Sequence, residues 1–283
     1  METLETPALY GVLGYPASHS LSPAMQQAAF DQLGIRAEYR IFEVRPEELN
    51  DFLKGASARG IAGFNVTIPY KEQIIPLLDY VSPDARVVGA VNTVKVRSGR
   101  LEGFSTDGQG FLADLAARGI DPLKKKICVI GAGGASKSVC FALAQAAPRE
   151  LAVYNRDIRK AGHLVEHLRE QFPSIAFRQA DSIDALAIPE ADILVNATSV
   201  GMKADDPELV EERQVRKELF VYDLVYAPAE TKLLKMAREK GCGTANGLGM
   251  LLHQGMFSFE IWTGHKPERE VMERALTRFN TRI

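Results

Sequence analysis

Four apolar residues in a row, then glycines, then helix-forming residues: Lys126-Ile127-Cys128-Val129-Ile130 runs directly into Gly131-Ala132-Gly133-Gly134-Ala135-Ser136. An uninterrupted apolar run of strand length predicts a strand covered on both faces, the environment of a parallel sheet. A glycine turn leading from such a strand into a helix is the first half of a βαβ unit. That junction restricts the chain to an α/β sheet wrapped by helices, and the sequence after it keeps the rhythm. Leu151–Tyr154, Ile175–Arg178, Ile193–Val195 and Leu219–Tyr222 read as further strands of the same sheet, separated by helical stretches.

The first third of the chain predicts a second sheet. Leu9–Gly14, Ala37–Val44 and Ile61–Ile68 read as strands. Between them lie a helix from Ser22 to about Gly34, with Ser22 as N-cap and Pro23 in the first helical position, and a helix over Pro46–Arg59. Alternating strands and helices predict a mainly parallel sheet. Val87–Val96 and Leu101–Phe104 read as a hairpin around Ser98-Gly99-Arg100, followed by a helix over Gly108–Arg118. Near the end, Leu248–Thr263 and Pro267–Phe279 read as helices that return to the first sheet. A chain of 283 residues at 46% hydrophobic can fill two ordinary cores. The expected domains are 1–107, completed by 247–283, and 108–246.

Charge and cysteine usage narrow the partners. A formal net charge of -2 with interleaved signs leaves no basic stripe for nucleic acid. No apolar run reaches bilayer length, and the acidic start Met1–Glu5 lacks the basic region of a secretory leader. Cys128, Cys140 and Cys242 are widely spaced without a Cys-x-x-Cys, which reads as buried reduced thiols and a cytoplasmic protein. His163 and His167 stand four apart in a charged helix, where an exposed face accounts for them better than a metal.

Several polar residues sit where apolar segments end. In Gly63-Phe64-Asn65-Val66-Thr67-Ile68-Pro69-Tyr70-Lys71, Pro69 stops a buried strand and Lys71 lies just past the stop, at the edge where open α/β sheets bind ligands. Ser20 and Ser22 flank a helix start, where hydroxyls beside free N–H groups suit a carboxylate; simple capping is the alternative for Ser22. Asn92 and Asp107 lie in short polar breaks, and with Lys71 they could form an amine–carboxylate pair beside a hydroxyl-bearing substrate. The glycine loop Gly131–Ser136 suits a dinucleotide pyrophosphate, with Ser136 at the third glycine position loosening the helix packing. At the end of the next strand, Asn155-Arg156-Asp157-Ile158-Arg159-Lys160 chooses the cofactor. Arg156 and Lys160 suit the 2′-phosphate of NADP; Asp157 suits the ribose of NAD or helps the helix dipole.

Taken together these blocks resemble the shikimate dehydrogenase family nearly end to end. The matching segments are Gly14–Pro23, Asn65–Lys71, Gly89-Ala90-Val91-Asn92-Thr93, Asn196-Ala197-Thr198-Ser199, Asn246–Gln254 and Trp262-Thr263-Gly264. The resemblance implies an N-terminal substrate-binding domain, a Rossmann-like NADP-binding domain, a closing cleft between them, and a monomer or homodimer. It implies Lys71 and Asp107 as the catalytic pair and Ser20, Ser22, Thr67, Asn92, Tyr226 and Gln254 as substrate contacts. It implies Gly131, Ala132, Gly133, Gly134, Ala135, Asn155, Arg156, Lys160, Leu224 and Gly247 as cofactor contacts. The activity implied is reversible, NADP-dependent reduction of 3-dehydroshikimate to shikimate, on the route to aromatic amino acids. An NAD-using quinate/shikimate dehydrogenase and a noncatalytic nucleotide sensor are the alternatives. The sequence departs from the family's pattern at Gln26-Gln27, Ser105 and Asp157. The expected hinges lie near Gly108 and Asn246, with Gly247 and Gly249 adding backbone freedom.

Overall fold

The structure is a computed structural model that describes residues 7–280; the acidic start Met1–Glu5 falls outside them. The described residues divide into two compact units, one comprising 7–106 together with 251–280, the other Asp107–Met250. In chain order the first stretch contains strands β1 (Ala8–Gly14), β2 (Ala37–Glu43), β3 (Ile61–Val66), β4 (Tyr80–Val81), β5 (Thr93–Arg97) and β6 (Arg100–Phe104). Its helices are α1 (Ser22–Gln32), α2 (Leu49–Lys54), α3 (Tyr70–Gln73) and α4 (Pro83–Val88). The second unit holds α5 (Asp107–Ala117), β7 (Lys126–Ile130), α6 (Gly134–Gln145), β8 (Glu150–Tyr154), α7 (Ile158–Gln171) and β9 (Ala176–Ala180). It continues with β10 (Ile193–Asn196), β11 (Phe220–Asp223), α8 (Lys232–Glu239) and β12 (Gly243–Asn246). Helix α9 (Leu248–Thr263) begins there and runs on into the first unit, where α10 (Arg269–Asn280) follows.

The sheet of the first unit is six-stranded, ordered β2-β1-β3-β5-β6-β4. The first three strands are parallel, and β5 pairs antiparallel with both β3 and β6. One face packs Leu13, Phe52, Phe64, Val66, Tyr70 and Val94 into a core under α2 and α3. The opposite face carries Tyr10, against which Phe30 of α1 and Trp262 of α9 stack at 4.8 and 5.3 Å between ring centroids. The Trp262 indole donates to the Val94 carbonyl at 2.9 Å, which fixes α9 to the sheet.

Two sequence expectations change here. Pro46–Arg59 is not one helix: α2 is flanked by single 3₁₀ turns at Pro46–Glu48 and Ser57–Arg59. The Arg59 side chain bonds the carbonyls of Asp51, Phe52 and Gly55; the Phe52 carbonyl, which a continuing helix would bond to the Ala56 N–H, goes to Arg59 while that N–H turns to the Leu53 carbonyl at 3.1 Å. Val87 and Val88, expected to begin a strand, instead end α4. Ser82 caps it by accepting from the Ala85 N–H at 3.3 Å, and Gly89 ends it in the left-handed conformation at φ 71°. The hairpin proper is β5–β6, whose turn places Ser98 and Gly99 at φ 48° and 78°.

The second sheet is wholly parallel and ordered β12-β11-β10-β7-β8-β9. Ile127 and Val129 enter the core that α5, α6 and α7 cover, whereas Cys128 and Ile130 enter the one that contains Leu233 and Leu234 of α8. This is why β7 is apolar at every central position rather than alternating. All three cysteines are free and buried, and burial pushes the thiols of Cys128 and Cys140 up to about 12. Among the described residues no helix is long and apolar enough to cross a membrane.

Candidate functional site

In the first unit, the predicted residues gather where β1 and β3 end. Helix α1 starts one residue earlier than the Ser-Pro signal suggests. Leu21 already has helical dihedrals (φ -85°, ψ -6°), so Ser22 is the first helical residue and not the cap. The cause is a turn just before it: the Ser20 N–H bonds the Ala17 carbonyl at 3.0 Å and winds the backbone early. The Ser20 hydroxyl then accepts from the Ser22 N–H at 3.3 Å and does the capping. That leaves the Ser22 hydroxyl to bond the Tyr39 phenol, which burial keeps protonated.

From Tyr39 a buried polar network leads inward. The phenol donates to Asn65 Oδ1 at 2.8 Å, and Asn65 Nδ2 donates to the Asn92 carbonyl at 3.1 Å and to Ser258 Oγ at 2.9 Å. Ser258 and Thr93 share a hydroxyl contact at 2.7 Å. Asn92 is pinned at both ends. Its Oδ1 accepts from the Thr106 backbone N–H at 2.7 Å, and its Nδ2 donates to Thr106 Oγ1 at 2.8 Å and Gln254 Oε1 at 3.0 Å. Because a backbone N–H can only donate, this fixes which way round the Asn92 amide lies. Such a network holds two candidate substrate groups, Asn92 and Gln254, against each other without a charge.

Thr67 and Lys71 join the same edge through the backbone. The Thr67 N–H bonds the Leu13 carbonyl, the Val66 N–H bonds the Asn92 carbonyl, and the Val91 N–H bonds the Lys71 carbonyl, each at 2.8 Å. Gly14 is required here, since a Cβ would lie 2.5 Å from the Thr67 methyl. Half-buried Lys71 therefore stands in the first turn of α3, and Thr67 and Asn92 are tied to the strand ends beside it.

The second unit brings together the residues expected at a cofactor. Gly131 sits at φ 120°, with the Ala197 carbonyl 2.8 Å from where a Cβ would project, so only glycine fits the turn. Gly133 is the N-cap of α6; lacking a side chain, it offers no oxygen to the helix's first N–H groups, and the space beside it is open. Ala132 is buried, and Gly134 and Ala135 form the exposed-side start of the helix. Ser136 does not loosen the packing. Its buried hydroxyl donates back to the Gly131 carbonyl at 2.6 Å and braces the loop. This is a cradle of free N–H groups at a helix N-terminus, the arrangement a pyrophosphate needs.

At the end of β8 the acidic residue has a different occupation from ribose binding. Asp157 is the N-cap of α7, accepting from the Arg159 N–H at 3.2 Å and pairing with the Arg159 guanidinium at 3.3 Å. Arg159 holds its carboxyl below the usual range. Asn155 Nδ2 donates to the Asp157 carbonyl at 2.9 Å, while Arg156 and Lys160 stay exposed beside it.

Leu224 and Gly247 meet across the other half of the sheet. The Leu224 N–H bonds the Asn196 carbonyl at 2.9 Å, and a Cβ on Gly247 would fall 2.0 Å from the Leu224 carbonyl oxygen. Gly247 and Gly249 thus serve close approach, not backbone freedom: at Gly249 a Cβ would lie 1.9 Å from Asp114 Oδ1. Tyr226, half-buried, follows on the same loop, and Asp107 is the buried first residue of α5. Among the described residues no group of three or more His, Cys, Asp or Glu could hold a metal.

Sequence reasoning gave no role to Tyr39, Asn65, Thr93, Thr106 and Ser258, nor to Asn196, Asp223 and Thr231. The available signal was an uncharged or acidic polar residue inside or ending an apolar strand, as in Phe64-Asn65-Val66, Val195-Asn196 and Tyr222-Asp223. Buried polar groups there need partners, and partners imply a network.

A parallel six-stranded sheet with a glycine turn after its first strand, and cations after its second, defines a Rossmann-type dinucleotide-binding unit. Three family models match the chain: "Shikimate dehydrogenase substrate binding domain" over residues 12–94, "Shikimate / quinate 5-dehydrogenase" over 114–229, and "Shikimate 5'-dehydrogenase C-terminal domain" over 247–277. A shikimate dehydrogenase (NADP(+)) of Methanopyrus kandleri is 44% identical over 273 residues, 94% of this chain and 93% of its own. The solved shikimate dehydrogenase of Aquifex aeolicus is 42% identical with a TM-score of 0.89, covering 98% of this chain and 99% of that one. Shikimate 5-dehydrogenase of Thermus thermophilus, solved with NADP(H) and shikimate, is 40% identical with a TM-score of 0.85, covering 95% of this chain and 98% of that one. The chain belongs to the shikimate dehydrogenase family.

Proposed function

We propose that this chain catalyses the NADP-dependent, reversible reduction of 3-dehydroshikimate to shikimate. The first unit takes the substrate and the second takes the cofactor. The observation that carries the cofactor choice is the position of Asp157. Its carboxylate is engaged by the N-terminus of α7 and by Arg159, which offsets part of its opposition to a 2′-phosphate beside Arg156 and Lys160. The same contact gives Asp157 a structural role that weakens the case for an NAD-using quinate/shikimate dehydrogenase.

Gly131–Ala135 would hold the pyrophosphate, Asn155, Arg156 and Lys160 the adenosine end, and Leu224 and Gly247 the nicotinamide end. The bound nicotinamide supplies a hydride for ketone reduction and accepts one for alcohol oxidation. The chain's own contribution is orientation and proton control. Ser20 and Ser22 hold the substrate carboxylate; Thr67, Asn92, Tyr226 and Gln254 bond its ring hydroxyls. The Lys71 ammonium polarises the ketone and gives its oxygen a proton, and Asp107 is the second member of the proposed catalytic pair. A monomer or homodimer in the cytoplasm suits an enzyme of small metabolites that carries buried, reduced thiols.

The test is oxidation of shikimate with NADP+ and NAD+ in parallel, and with quinate as second substrate, followed by the absorbance of the reduced nicotinamide. Turnover with shikimate and NADP+ at least tenfold more efficient than any other pairing is the expected result. Equal efficiency with NAD+ or quinate would overturn the assigned specificity. Cofactor binding without turnover would return the chain to a nucleotide sensor.

A further inference from the structure

Asp223 ends β11 fully buried, and none of the roles above uses it. Its three hydrogen-bond partners are neutral. Asn196 Nδ2 reaches Oδ1 at 2.8 Å, the Val225 N–H reaches Oδ1 at 3.0 Å, and the Thr231 hydroxyl reaches Oδ2 at 2.7 Å. These partners belong to two loops that leave neighbouring strand ends, since Asn196 of β10 and Asp223 of β11 are paired in register.

Each partner carries the constraint onward. Asn196 also donates to the Val200 carbonyl at 3.0 Å and accepts from the Thr198 hydroxyl at 2.7 Å, which shapes 197–201. Ala197 in turn lies against Gly131 of the pyrophosphate turn. Thr231 caps α8 by accepting from the Leu234 N–H at 3.2 Å, which closes the loop 224–231 that bears Leu224 and Tyr226. A carboxylate is suited to this junction because it accepts on both oxygens at once, from donors on three sides. An amide could accept on only one side, and on the other would present an N–H that Thr231 could meet only by reversing its hydroxyl.

We propose that Asp223 is a positioning residue for the nicotinamide end of the cofactor site, clamping the 197–201 and 224–231 loops through Asn196 and Thr231. The strand order places this clamp on the β10–β11 side of the switch between β10 and β7, whereas Arg156 and Lys160 follow β8 on the other side. A dinucleotide laid across that switch point puts its two halves on opposite sides of it. Asp223 therefore acts on one half of the cofactor alone. The inference rests on the proposed NADP-dependent activity.

The test is Asp223→Asn, with Thr231→Val and Thr231→Ser as companions, each checked for a wild-type far-UV spectrum. Binding of NADP+ and of adenosine 2′,5′-bisphosphate is measured with the shikimate-oxidation rate. The expected result for Asp223→Asn and Thr231→Val is a fall of at least tenfold in kcat and weaker NADP+ binding. Affinity for the bisphosphate should stay within twofold of wild type, and Thr231→Ser should restore most of the rate. Unchanged kcat and NADP+ affinity would overturn the clamp, and so would an equal loss of NADP+ and bisphosphate affinity, which marks a merely structural residue. Failure of the wild-type protein to bind either ligand would instead overturn the cofactor reading itself.

Discussion

At the scale of single residues, the proposed activity depends on groups whose removal has distinguishable effects. Lys71→Ala removes the proton donor while leaving every residue of the cofactor cradle in place. Turnover should drop by a factor of about 1000 or more, within the reach of acid–base and electrostatic assistance combined, with NADP+ affinity unchanged in a direct titration. Near-normal turnover would reduce Lys71 to a surface charge. Asp223 gives a pH signature. Burial outweighs its three neutral donors and pushes its carboxyl up to about 6. Since the folded value exceeds the unfolded one near 4, the folded state binds the proton more tightly. Stability from this group is fully present below about pH 4 and is lost as pH rises through about 6. The loss is on the order of 3 kcal/mol. Urea titrations of wild type and Asp223→Asn at pH 4 and 7 should therefore show the stability difference moving in favour of the variant as pH rises. A pH-independent difference would mean the group titrates normally. The buried network makes a third case. Ser258→Ala leaves Asn65 and Thr93 each one partner short, costing about 1–3 kcal/mol in unfolding free energy and weakening the substrate-side amides it braces.

Elements were readable from sequence where local signals agreed with their surroundings. The β7–α6 junction is one such place, because an unbroken apolar run and a glycine turn admit few other folds. The helix expected over Pro46–Arg59 shows the opposite: Arg59 takes the Phe52 carbonyl and the Ala56 N–H turns to Leu53, a local choice of hydrogen-bond partners that no spacing reveals. At α4 the Ser82-Pro83 start and Gly89 stop were present in the sequence, yet the apolar run Val87–Val91 outweighed them. The site divided along the same line. Its charged and glycine members were visible at once, whereas Asn65, Thr93 and Ser258 matter through partners up to 193 residues away in the chain. Helix α7 carries the prediction that belongs to this scale. Asp157 serves both as its N-cap and as the partner of Arg159. Asp157→Ala should cost about 1 kcal/mol through the lost cap. Asp157→Ser keeps a capping oxygen, removes the negative charge, and releases Arg159 beside Arg156 and Lys160. The ratio of kcat/KM for NADP+ over NAD+ should then rise several-fold. A ratio that stayed level or fell would show that Arg159 lies outside reach of the phosphate.

The molecule as a whole separates two kinds of recognition between two compact units. The first unit stabilises its ligand-binding edge with neutral amides and hydroxyls buried between strand ends and α9. The second presents backbone N–H groups at the start of α6 and cations after β8. These chemistries suit different ligands, a polyhydroxylated ring and a phosphorylated nucleotide, and each ligand should therefore protect its own unit from exchange. A ligand at a hundred times its Kd stabilises the state it binds by about 2.7 kcal/mol, enough to slow amide exchange about a hundredfold wherever exchange requires opening of the bound region. Hydrogen exchange read by mass spectrometry should show NADP+ protecting 130–137, 154–160 and 224–231. Shikimate alone should protect 14–23, 65–71, 89–93 and 251–258. The two patterns must be read with single ligands, because a ternary complex would add protection that neither ligand produces alone. Protection of 14–23 by NADP+ alone, or of 130–137 by shikimate alone, would overturn the division of labour, whatever the enzyme's turnover.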